Sequence, residues 1–439
     1  MAKQANRALR DVPEPNLFRD LYPYTELPRA AFDGQAPPMA PAKGLWITDT
    51  TFRDGQQARP PYTVEQIAKL YSLLHKLDGG SGLIRICEFF LYSRRDREAV
   101  EKCRELGFDY PRVTGWIRAV KRDFKLVKDM GLDETGILTS CSDYHIFLKL
   151  AKTRRQAMDM YLEIARAALD AGITPRCHFE DVTRADFHGF VVPFAVELMK
   201  LREEYGRDVK IRLCDTMGFG LPWPEAALPR SVPKLVAGMI HDAGVPGELL
   251  EWHGHNDFHK VVINAATAWL YGCAAVNTSI LGIGERTGNT PLEAMVVEAA
   301  QINGAHTPGV DYSVITEIAE YLTREVGDAL SGNFPLVGRD FNVTRAGIHA
   351  DGLLKNEEIY NCFDTRRILG RPVRVAITDK SGAAGVKHWL ERTHGVDVPK
   401  DDERLLAIKD RVDAEYEAGR TSAVSEDEME AWYRDAFGE

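Results

Sequence analysis

Short apolar segments alternate with longer amphipathic segments from Leu45 to about Asn303. Eight of the apolar segments have the length of β-strands, and a stretch with helical periodicity follows each of them. This alternation predicts parallel strands joined by helical crossovers, and eight such pairs predict a closed (β/α)8 TIM barrel of the α/β class. The eight predicted strands are LWITDT, LIRICEFF, RVTGWI, TGILTS, TPRCHF, VKIRLC, LLEWHG and AAVNTS.

The pattern changes on both sides of the predicted barrel. Residues 1–40 are rich in proline and aromatic residues, which predicts an N-terminal arm and linker before a catalytic barrel at residues 41–305. Residues 306–395 combine helical segments with loops, and we expect a smaller, mainly helical subdomain module there. Residues 396–439 are strongly charged with helical periodicity and predict a C-terminal helical segment.

Composition excludes several functional classes. A formal net charge of -10 over 439 residues argues against nonspecific binding to nucleic acid. No apolar run approaches the roughly 20 residues of a membrane-spanning helix, and the charged N-terminus lacks the apolar core of a signal peptide. We therefore expect a cytoplasmic protein, although bulk charge does not identify its ligand. The seven cysteines are scattered and never spaced as CxxC, which predicts reduced, buried thiols.

Polar residues are concentrated where the predicted strands end. Catalytic groups of a TIM barrel gather at the carboxyl ends of its strands, so these segments are the most informative part of the chain. Because all eight carboxyl ends meet at one mouth, we expect the polar segments to lie together. The segments are DTTFRDGQQ, SCSDYH, FEDVTRAD, CDTMGFG, HGHND and LGIGERTGN.

His253 and His255 are the first candidates for a metal site. They are two positions apart at a strand end, so both imidazoles point to the same side, and Asp54 lies close to them once the barrel closes. One carboxylate and two imidazoles leave coordination positions open and suit Mn²⁺, Mg²⁺, Co²⁺ or Zn²⁺. Arg53, beside Asp54, is suited to neutralise charge on a carbonyl oxygen. The alternatives are ordinary buried histidines and a structural ion pair.

The motifs DTTFRDGQQ, HGHND and GIGERTGN together resemble the DRE-TIM metallolyase superfamily, specifically its Claisen-condensing branch. SCSDYH, FEDVTRAD and CDTMGFGLP are similar, in the same order, to segments of the isopropylmalate synthases. PNLFRDLYPYTELPRAAFDG, ITDTTFRDGQQARPPYT, RICEFFLYS and TGWIRAV look most like the Re-type citrate synthases within that branch. The resemblance implies a metal-dependent acyltransferase that condenses acetyl-CoA, its co-substrate, with a 2-oxo acid. The implied acceptor is oxaloacetate and the implied products are citrate and CoA.

The resemblance also assigns roles to individual residues. It implies a divalent metal, Mn²⁺ foremost, and a homodimer with shared active sites, because RAGIHADG is similar to a subdomain that brings a histidine over the partner's site. His349 is then the candidate base and Tyr360 its companion. The implied metal ligands are Asp54, His253 and His255, with Asn289 supporting them; the implied catalytic residues are Arg53, Glu180, Glu285, His349 and Tyr360; the implied substrate-binding residues are Arg53, Gln57, Arg118, Ser142, His145 and Thr216.

Several alternatives stay open at this level. Gln56 stands where the family often has Glu, and EFFLYS replaces a common GFP-like segment, so isopropylmalate synthase and homocitrate synthase are the closest alternatives. Arg59, Arg85 and Arg118 are equivalent candidates for pairing the second carboxylate of oxaloacetate. A cleavage enzyme similar to HMG-CoA lyase is disfavoured because GIGERTGNTP lacks the cysteine of those lyases. A noncatalytic metal-binding barrel is the remaining class.

Overall fold

The computed structural model describes residues 7–438. The first six residues of the predicted arm and Glu439 lie outside the described residues. The chain divides into two compact units, the first ending at Asp311 and the second beginning at Tyr312. The domain boundaries expected from the sequence, at 40/41, 305/306 and 395/396, stay predictions.

Eight parallel strands close into a barrel in chain order, and β1 pairs with both β2 and β8. The predicted (β/α)8 TIM barrel is confirmed, because each of the eight apolar segments matches one strand to within one residue at either end. The strands are β1 (Trp46–Asp49), β2 (Ile84–Phe90), β3 (Arg112–Ile117), β4 (Glu134–Ser140), β5 (Thr174–Glu180), β6 (Lys210–Asp215), β7 (Leu250–Gly254) and β8 (Ala275–Thr278).

One main helix follows each strand and covers the outside of the barrel. The first helix shows how the sequence sets the ends: Thr63 and Gln66 form a reciprocal capping box before it, and Gly79 ends it with a left-handed φ of 55°. The helices are α1 (Val64–Asp78), α2 (Arg94–Glu105), α3 (Phe124–Asp129), α4 (Arg154–Asp170), α5 (Val192–Tyr205), α6 (Val232–His241), α7 (Val261–Leu270) and α8 (Leu292–Asn303).

The interior of the barrel is strongly charged in its middle and towards the amino ends of the strands. Glu88 lies at the centre, where it accepts from Arg176 at 2.8 Å and from Arg212 at 3.1 Å. Arg176 also reaches Glu134 at 2.7 Å, and Arg212 reaches Glu251 at 2.6 Å. All five side chains are almost fully buried, so each charge depends on the others for its stability.

The described part of the N-terminal arm runs along the polar loops that follow β4 and β5. The backbone N–H of Asn16 donates to Asp143 at 2.7 Å, and the buried hydroxyl of Tyr22 donates to the carbonyl of Thr183 at 2.5 Å. Arg154 donates to the carbonyl of Arg10 at 2.9 Å. The arm therefore braces the end of the barrel at which the polar segments were expected.

The second unit is mainly helical, as predicted for the region after the barrel. Its core is formed by buried residues that include Trp389, Leu390, Leu405, Ile408 and Tyr433. One short parallel pair of strands accompanies the helices. The elements are α9 (Val314–Tyr321), β9 (Val343–Thr344), α10 (Gly347–Lys355), α11 (Thr365–Leu369), β10 (Arg374–Val375), α12 (Gly382–His394), α13 (Glu403–Glu417) and α14 (Glu426–Phe437).

Two further expectations concern membrane-spanning helices and the burial of the cysteines. Among residues 7–438, no helix combines the length and the apolar character that crossing a bilayer requires. The seven cysteines, all within this range, are free thiols, and six of them are buried as expected. Cys362 differs because it is exposed.

Candidate metal centre

Asp54, His253 and His255 meet at the mouth of the barrel, and all three are buried. His253 lies in β7 and His255 directly follows that strand, so the two imidazoles face the same way. Their Nε2 atoms are 3.2 Å apart. Oδ2 of Asp54 lies 4.0 Å from Nε2 of His253 and 3.8 Å from Nε2 of His255. Three ligand atoms of the types that divalent ions accept thus converge on one point.

Hydrogen bonds fix how two of these ligands are presented. Asn277 donates from Nδ2 to Oγ1 of Thr48 at 2.9 Å, and its Oδ1 therefore faces Nδ1 of His253 at 2.8 Å. His253 must then carry its proton on Nδ1, which leaves the lone pair of Nε2 free for a metal. Asn289 donates from Nδ2 to Oδ2 of Asp54 at 2.7 Å. Asn289 thus holds the carboxylate of Asp54 in place.

The charge states of the three groups suit metal binding. Burial alone would raise the pKa of Asp54, but the neighbouring Arg53, His253 and His255 outweigh it and hold that pKa well below its usual range. Burial and the proximity of His255 lower the pKa of His253 to about 3, and burial also lowers the pKa of His255. At neutral pH the set is one carboxylate and two neutral imidazoles, the forms that bind a metal. The residues therefore fit a divalent ion.

Arg53 is held firmly beside this centre. Its Nη1 lies 2.8 Å from Oδ1 of Asp54, and its Nε lies 2.9 Å from Oε1 of Glu88. The guanidinium also lies 5.3 Å from the ring centroid of Trp116. Sequence reasoning missed Glu88; a single carboxylate in the apolar segment RICEFF is the signal that points to it. Arg53 therefore presents a fixed positive charge next to any bound metal.

Four other predicted site residues form a second cluster at the same mouth. Nδ1 of His145 lies 3.0 Å from Oε2 of Glu180, and Oγ of Ser142 donates to Asp181 at 2.5 Å. Oγ1 of Thr216 accepts from the backbone N–H of Asp181 at 2.8 Å. Burial would raise the pKa of Glu180, but its hydrogen bond with His145 outweighs burial and lowers that pKa to about 2. Glu180 is therefore an ionised acceptor.

Gln57 and Glu285 stand apart from this hydrogen-bonded cluster. Both side chains are exposed, Gln57 in the short turn after Asp54 and Glu285 in the glycine-containing loop after β8. Gln56, the departure from the family pattern, donates to the carbonyl of Phe52 at 2.8 Å and accepts from the backbone N–H of Tyr62 at 3.2 Å. Gln56 therefore supports the turn that carries Asp54.

The three arginines considered for the second carboxylate of oxaloacetate lie in different places. Arg85 is near the amino end of β2, where it stacks on Trp46 at 3.7 Å and borders a cavity of about 160 Å³ at the opposite end of the barrel from the mouth. This position rules it out for that role. Arg118 follows β3 and pairs with Asp123 at 3.0 Å. Arg59 stacks on Tyr62 at 3.7 Å.

His349 and Tyr360 belong to the second unit and lie next to each other. Their ring centroids are 4.3 Å apart. Gly352, one turn along α10, permits this approach, because a Cβ there would come within 2.5 Å of the Tyr360 ring. His349 is half-buried, whereas Tyr360 and the neighbouring Ile348 are exposed. The structure thus brings this predicted pair together on one surface.

The fold and the site define a TIM-barrel enzyme with a candidate divalent-metal centre. A family model described as HMGL-like matches residues 45–322, which is more than half of the chain, and the protein belongs to this family. The family assignment confirms the resemblance to the DRE-TIM metallolyases that the sequence motifs indicated.

Similar proteins agree with this assignment. The chain is 58% identical over 430 residues to a citrate (Re)-synthase of Syntrophus aciditrophicus, covering 97% of this chain and 68% of that protein. It is 54% identical over 426 residues to a citrate (Re)-synthase of Clostridium kluyveri, covering 96% and 94% respectively. The solved structure of HMG-CoA lyase from Bacillus subtilis matches with a TM-score of 0.52 at 18% identity, covering 66% of this chain and 97% of that one. At that identity the match bears on the fold alone.

Proposed function

We propose that this enzyme is a Re-type citrate synthase, which condenses acetyl-CoA with oxaloacetate and releases citrate and CoA. The observation that carries the proposal is the Asp54, His253 and His255 centre beside Arg53, in a chain that matches two citrate (Re)-synthases over almost its whole length. The sequence motifs imply the same reaction.

The metal-binding residues and Arg53 prepare the acceptor. A divalent ion, Mn²⁺ foremost and Mg²⁺, Co²⁺ or Zn²⁺ as alternatives, would supply Lewis-acid polarisation of the acceptor's keto oxygen. Arg53 places a second positive charge at this point, and its bonds to Asp54 and Glu88 keep the guanidinium in position before substrate binds. Negative charge that develops on the keto oxygen is therefore stabilised without reorganisation of the protein.

The second cluster supports substrate binding in the proposed reaction. Glu180 is held ionised by His145 and by the hydroxyl of Ser140, so it accepts hydrogen bonds from a bound acceptor or water. His145 pairs directly with Glu180, whereas Ser142 and Thr216 hold the neighbouring Asp181, Ser142 by donating to its carboxylate and Thr216 by accepting from its backbone N–H. Gln57, Arg118 and Glu285 complete the proposed substrate and catalytic set on the basis of the family resemblance, and Asn289 orients Asp54.

His349 is the proposed base for the acetyl group. A neutral imidazole removes one proton from the methyl group of acetyl-CoA, and the resulting enolate attacks the keto carbon of oxaloacetate. Water then hydrolyses the thioester of the condensation product, which releases CoA and makes condensation favourable. Tyr360 packs against the imidazole and limits its rotation.

We also propose a cytoplasmic homodimer in which each partner supplies its His349 to the other's barrel. The support is the similarity of RAGIHADG to the subdomain that plays this part in related synthases. The exposure of Ile348 and Tyr360 around the half-buried His349 is consistent with a surface that a partner covers.

Measurement of CoA release tests the proposal. The purified protein is supplied with Mn²⁺, acetyl-CoA and, separately, oxaloacetate, 2-oxoisovalerate or 2-oxoglutarate. We expect release with oxaloacetate and its loss in the variant Asp54→Asn. Activity only with 2-oxoisovalerate would instead indicate isopropylmalate synthase, and activity only with 2-oxoglutarate would indicate homocitrate synthase.

A further inference from the structure

Phe90 and Trp116 form an aromatic pair at the mouth of the barrel. The two residues are directly opposite each other in the parallel pairing of β2 with β3. Glu88 and Thr114 lie two positions earlier in these strands, and both contact Arg176 in the barrel interior. Because side chains alternate along a strand, Phe90 and Trp116 also point inward, one layer nearer the mouth. Their rings pack edge to face, with centroids 5.5 Å apart and an interplanar angle of 87°.

This pair borders the candidate metal centre through Arg53. The guanidinium of Arg53 lies 5.3 Å from the centroid of the Trp116 ring and is bonded on its other side to Asp54. Phe90 and Trp116 are both half-buried, whereas the charged side chains beneath them are fully buried. The rings therefore form the partly open wall next to the group that polarises the acceptor.

Trp116 also carries a polar group that packing alone does not explain. Within residues 7–438, its indole N–H is buried and makes no hydrogen bond. An unpaired buried donor costs about 1–3 kcal/mol, and buried Trp N–H groups usually have a partner. Phenylalanine or leucine would fill the same wall without that cost. Hydrogen bonding within the described residues therefore does not account for a tryptophan at this position, which leaves the size and shape of its ring.

We propose that Phe90 and Trp116 select the acceptor by limiting the size of its side chain. This inference rests on the proposed function, because it concerns the acceptor site of the same condensation. In the proposed reaction the keto oxygen of the acceptor lies next to Arg53. The side chain of the acceptor is attached to the same keto carbon, so it lies among the residues around Arg53. Trp116 is one of these residues. The narrow, unbranched carboxymethyl group of oxaloacetate passes the rings, whereas the branched isopropyl group of 2-oxoisovalerate collides with them.

Variants of these two residues test the proposal. In Phe90→Leu and Trp116→Leu, we expect kcat/KM for 2-oxoisovalerate relative to that for oxaloacetate to rise at least about tenfold, the range in which one or two carbon atoms are discriminated by a pocket. The matched control is Phe89→Leu, the adjacent residue of the same type. Phe89 faces outward and packs on Phe52 and Tyr71 at 5.1 and 6.3 Å, so its variant should lose thermal stability without a change in that ratio.

Binding provides a second readout that does not depend on turnover. Calorimetric titration of the Mn²⁺-loaded proteins with 2-oxoisovalerate should show tighter binding to both mouth variants than to the wild type. An unchanged ratio, an equal change in Phe89→Leu, or folded mouth variants that are inactive with every acceptor would each overturn the inference. If the wild type does not turn over oxaloacetate, the proposed function fails. In that case the calorimetric comparison of the wild type with the two mouth variants still decides whether the two rings restrict the pocket.

Discussion

Asn277 orients the imidazole of His253 by accepting a hydrogen bond from its Nδ1 at 2.8 Å. The amide of Asn277 is itself fixed by Thr48, whose hydroxyl donates to Glu251. Glu251 is bonded to Arg212, which reaches Glu88 and through it Arg53. One continuous set of buried polar contacts therefore joins the candidate metal ligand His253 to Arg53.

Replacement of Asn277 by alanine should weaken metal binding about 10- to 100-fold, the usual effect of removing a group that orients a histidine ligand. The imidazole of His253 would lose both its fixed rotation and its preferred tautomer. Titration of the apoprotein with Mn²⁺, followed by electron paramagnetic resonance, measures this directly.

The control for this experiment is Asn264→Ala. Asn264 is equally buried but donates to the carbonyl of Gly220 at 3.1 Å, away from the metal ligands. Its variant should lose thermal stability and keep its Mn²⁺ affinity. Equal affinities in Asn277→Ala and the wild type would show that Asn277 has no part in metal binding.

Metal removal should lower both activity and stability. Because a metal that binds only the folded state stabilises it, Mn²⁺ at about 100 times its dissociation constant adds roughly 2.7 kcal/mol, or several degrees in Tm. A chelator should abolish CoA release and reverse the Tm increase, and added Mn²⁺ should restore both. The Tm increase should be absent in His255→Ala and present in His241→Ala, since His241 is exposed at the end of α6. An increase that persists in His255→Ala would place the ion elsewhere.

The sequence predicted those parts of the site that lie on the motif segments. Asp54, His253 and His255 were identifiable because a barrel brings the carboxyl ends of β1 and β7 to one mouth. Asn277 and Glu88 were not, since both lie inside apolar strand segments and act through contacts between strands far apart in the chain. Their roles depend on side-chain geometry, which the alternation of polar and apolar residues does not contain.

Arg85 is the opposite case, a residue that the sequence proposed for the site and that the structure places elsewhere. It is in the segment LIRICEFF, and from the sequence it was as good a candidate for the mouth as Arg118. The start of β2 at Ile84 puts Arg85 at the amino end of its strand, so it points to the far end of the barrel. The end of the strand at which a charged residue lies, rather than its presence in the strand, thus decides whether it belongs to the site.

Glu88 should be essential for stability because it neutralises several buried cations. Burial would raise its pKa, but Arg212 and Arg53 outweigh burial and hold that pKa well below its usual range. Glu88→Ala would leave these guanidinium groups without their shared acceptor, at a cost of about 3–5 kcal/mol in the free energy of unfolding. Urea denaturation measures the loss.

The comparison for Glu88 is Glu98→Ala. Glu98 pairs with Arg94 at 2.6 Å on the exposed face of α2, where solvent screening leaves an ion pair with little effect on stability. The two variants should therefore differ by several kcal/mol. Similar losses in both would mean that the buried arginines find other partners or water when Glu88 is removed.

Glu293 should make stability depend on pH. Burial raises the pKa of Glu293, at the start of α8, to about 7. Since the folded protein then holds this proton more tightly than the unfolded chain, stability should fall as pH rises from about 4.5 to about 7 and change no further above it. The Tm of Glu293→Gln relative to the wild type should therefore rise by a few degrees across this interval. A difference between the two proteins that is constant with pH would contradict the assignment.

Complementation between two inactive variants tests whether active sites are shared. His349→Ala should lose almost all turnover and keep its Mn²⁺ affinity, whereas Asp54→Asn should lose both. In a dimer with one chain of each kind, the barrel of the His349→Ala chain keeps its metal ligands and receives His349 from its partner. One of the two sites is then complete, and random mixing should restore about a quarter of wild-type activity. A mixture of His349→Ala with the Asp54→Asn, His349→Ala double variant has no complete site and should stay inactive. Absence of recovery in mixed dimers verified by mass spectrometry would mean that each chain uses its own His349 or none.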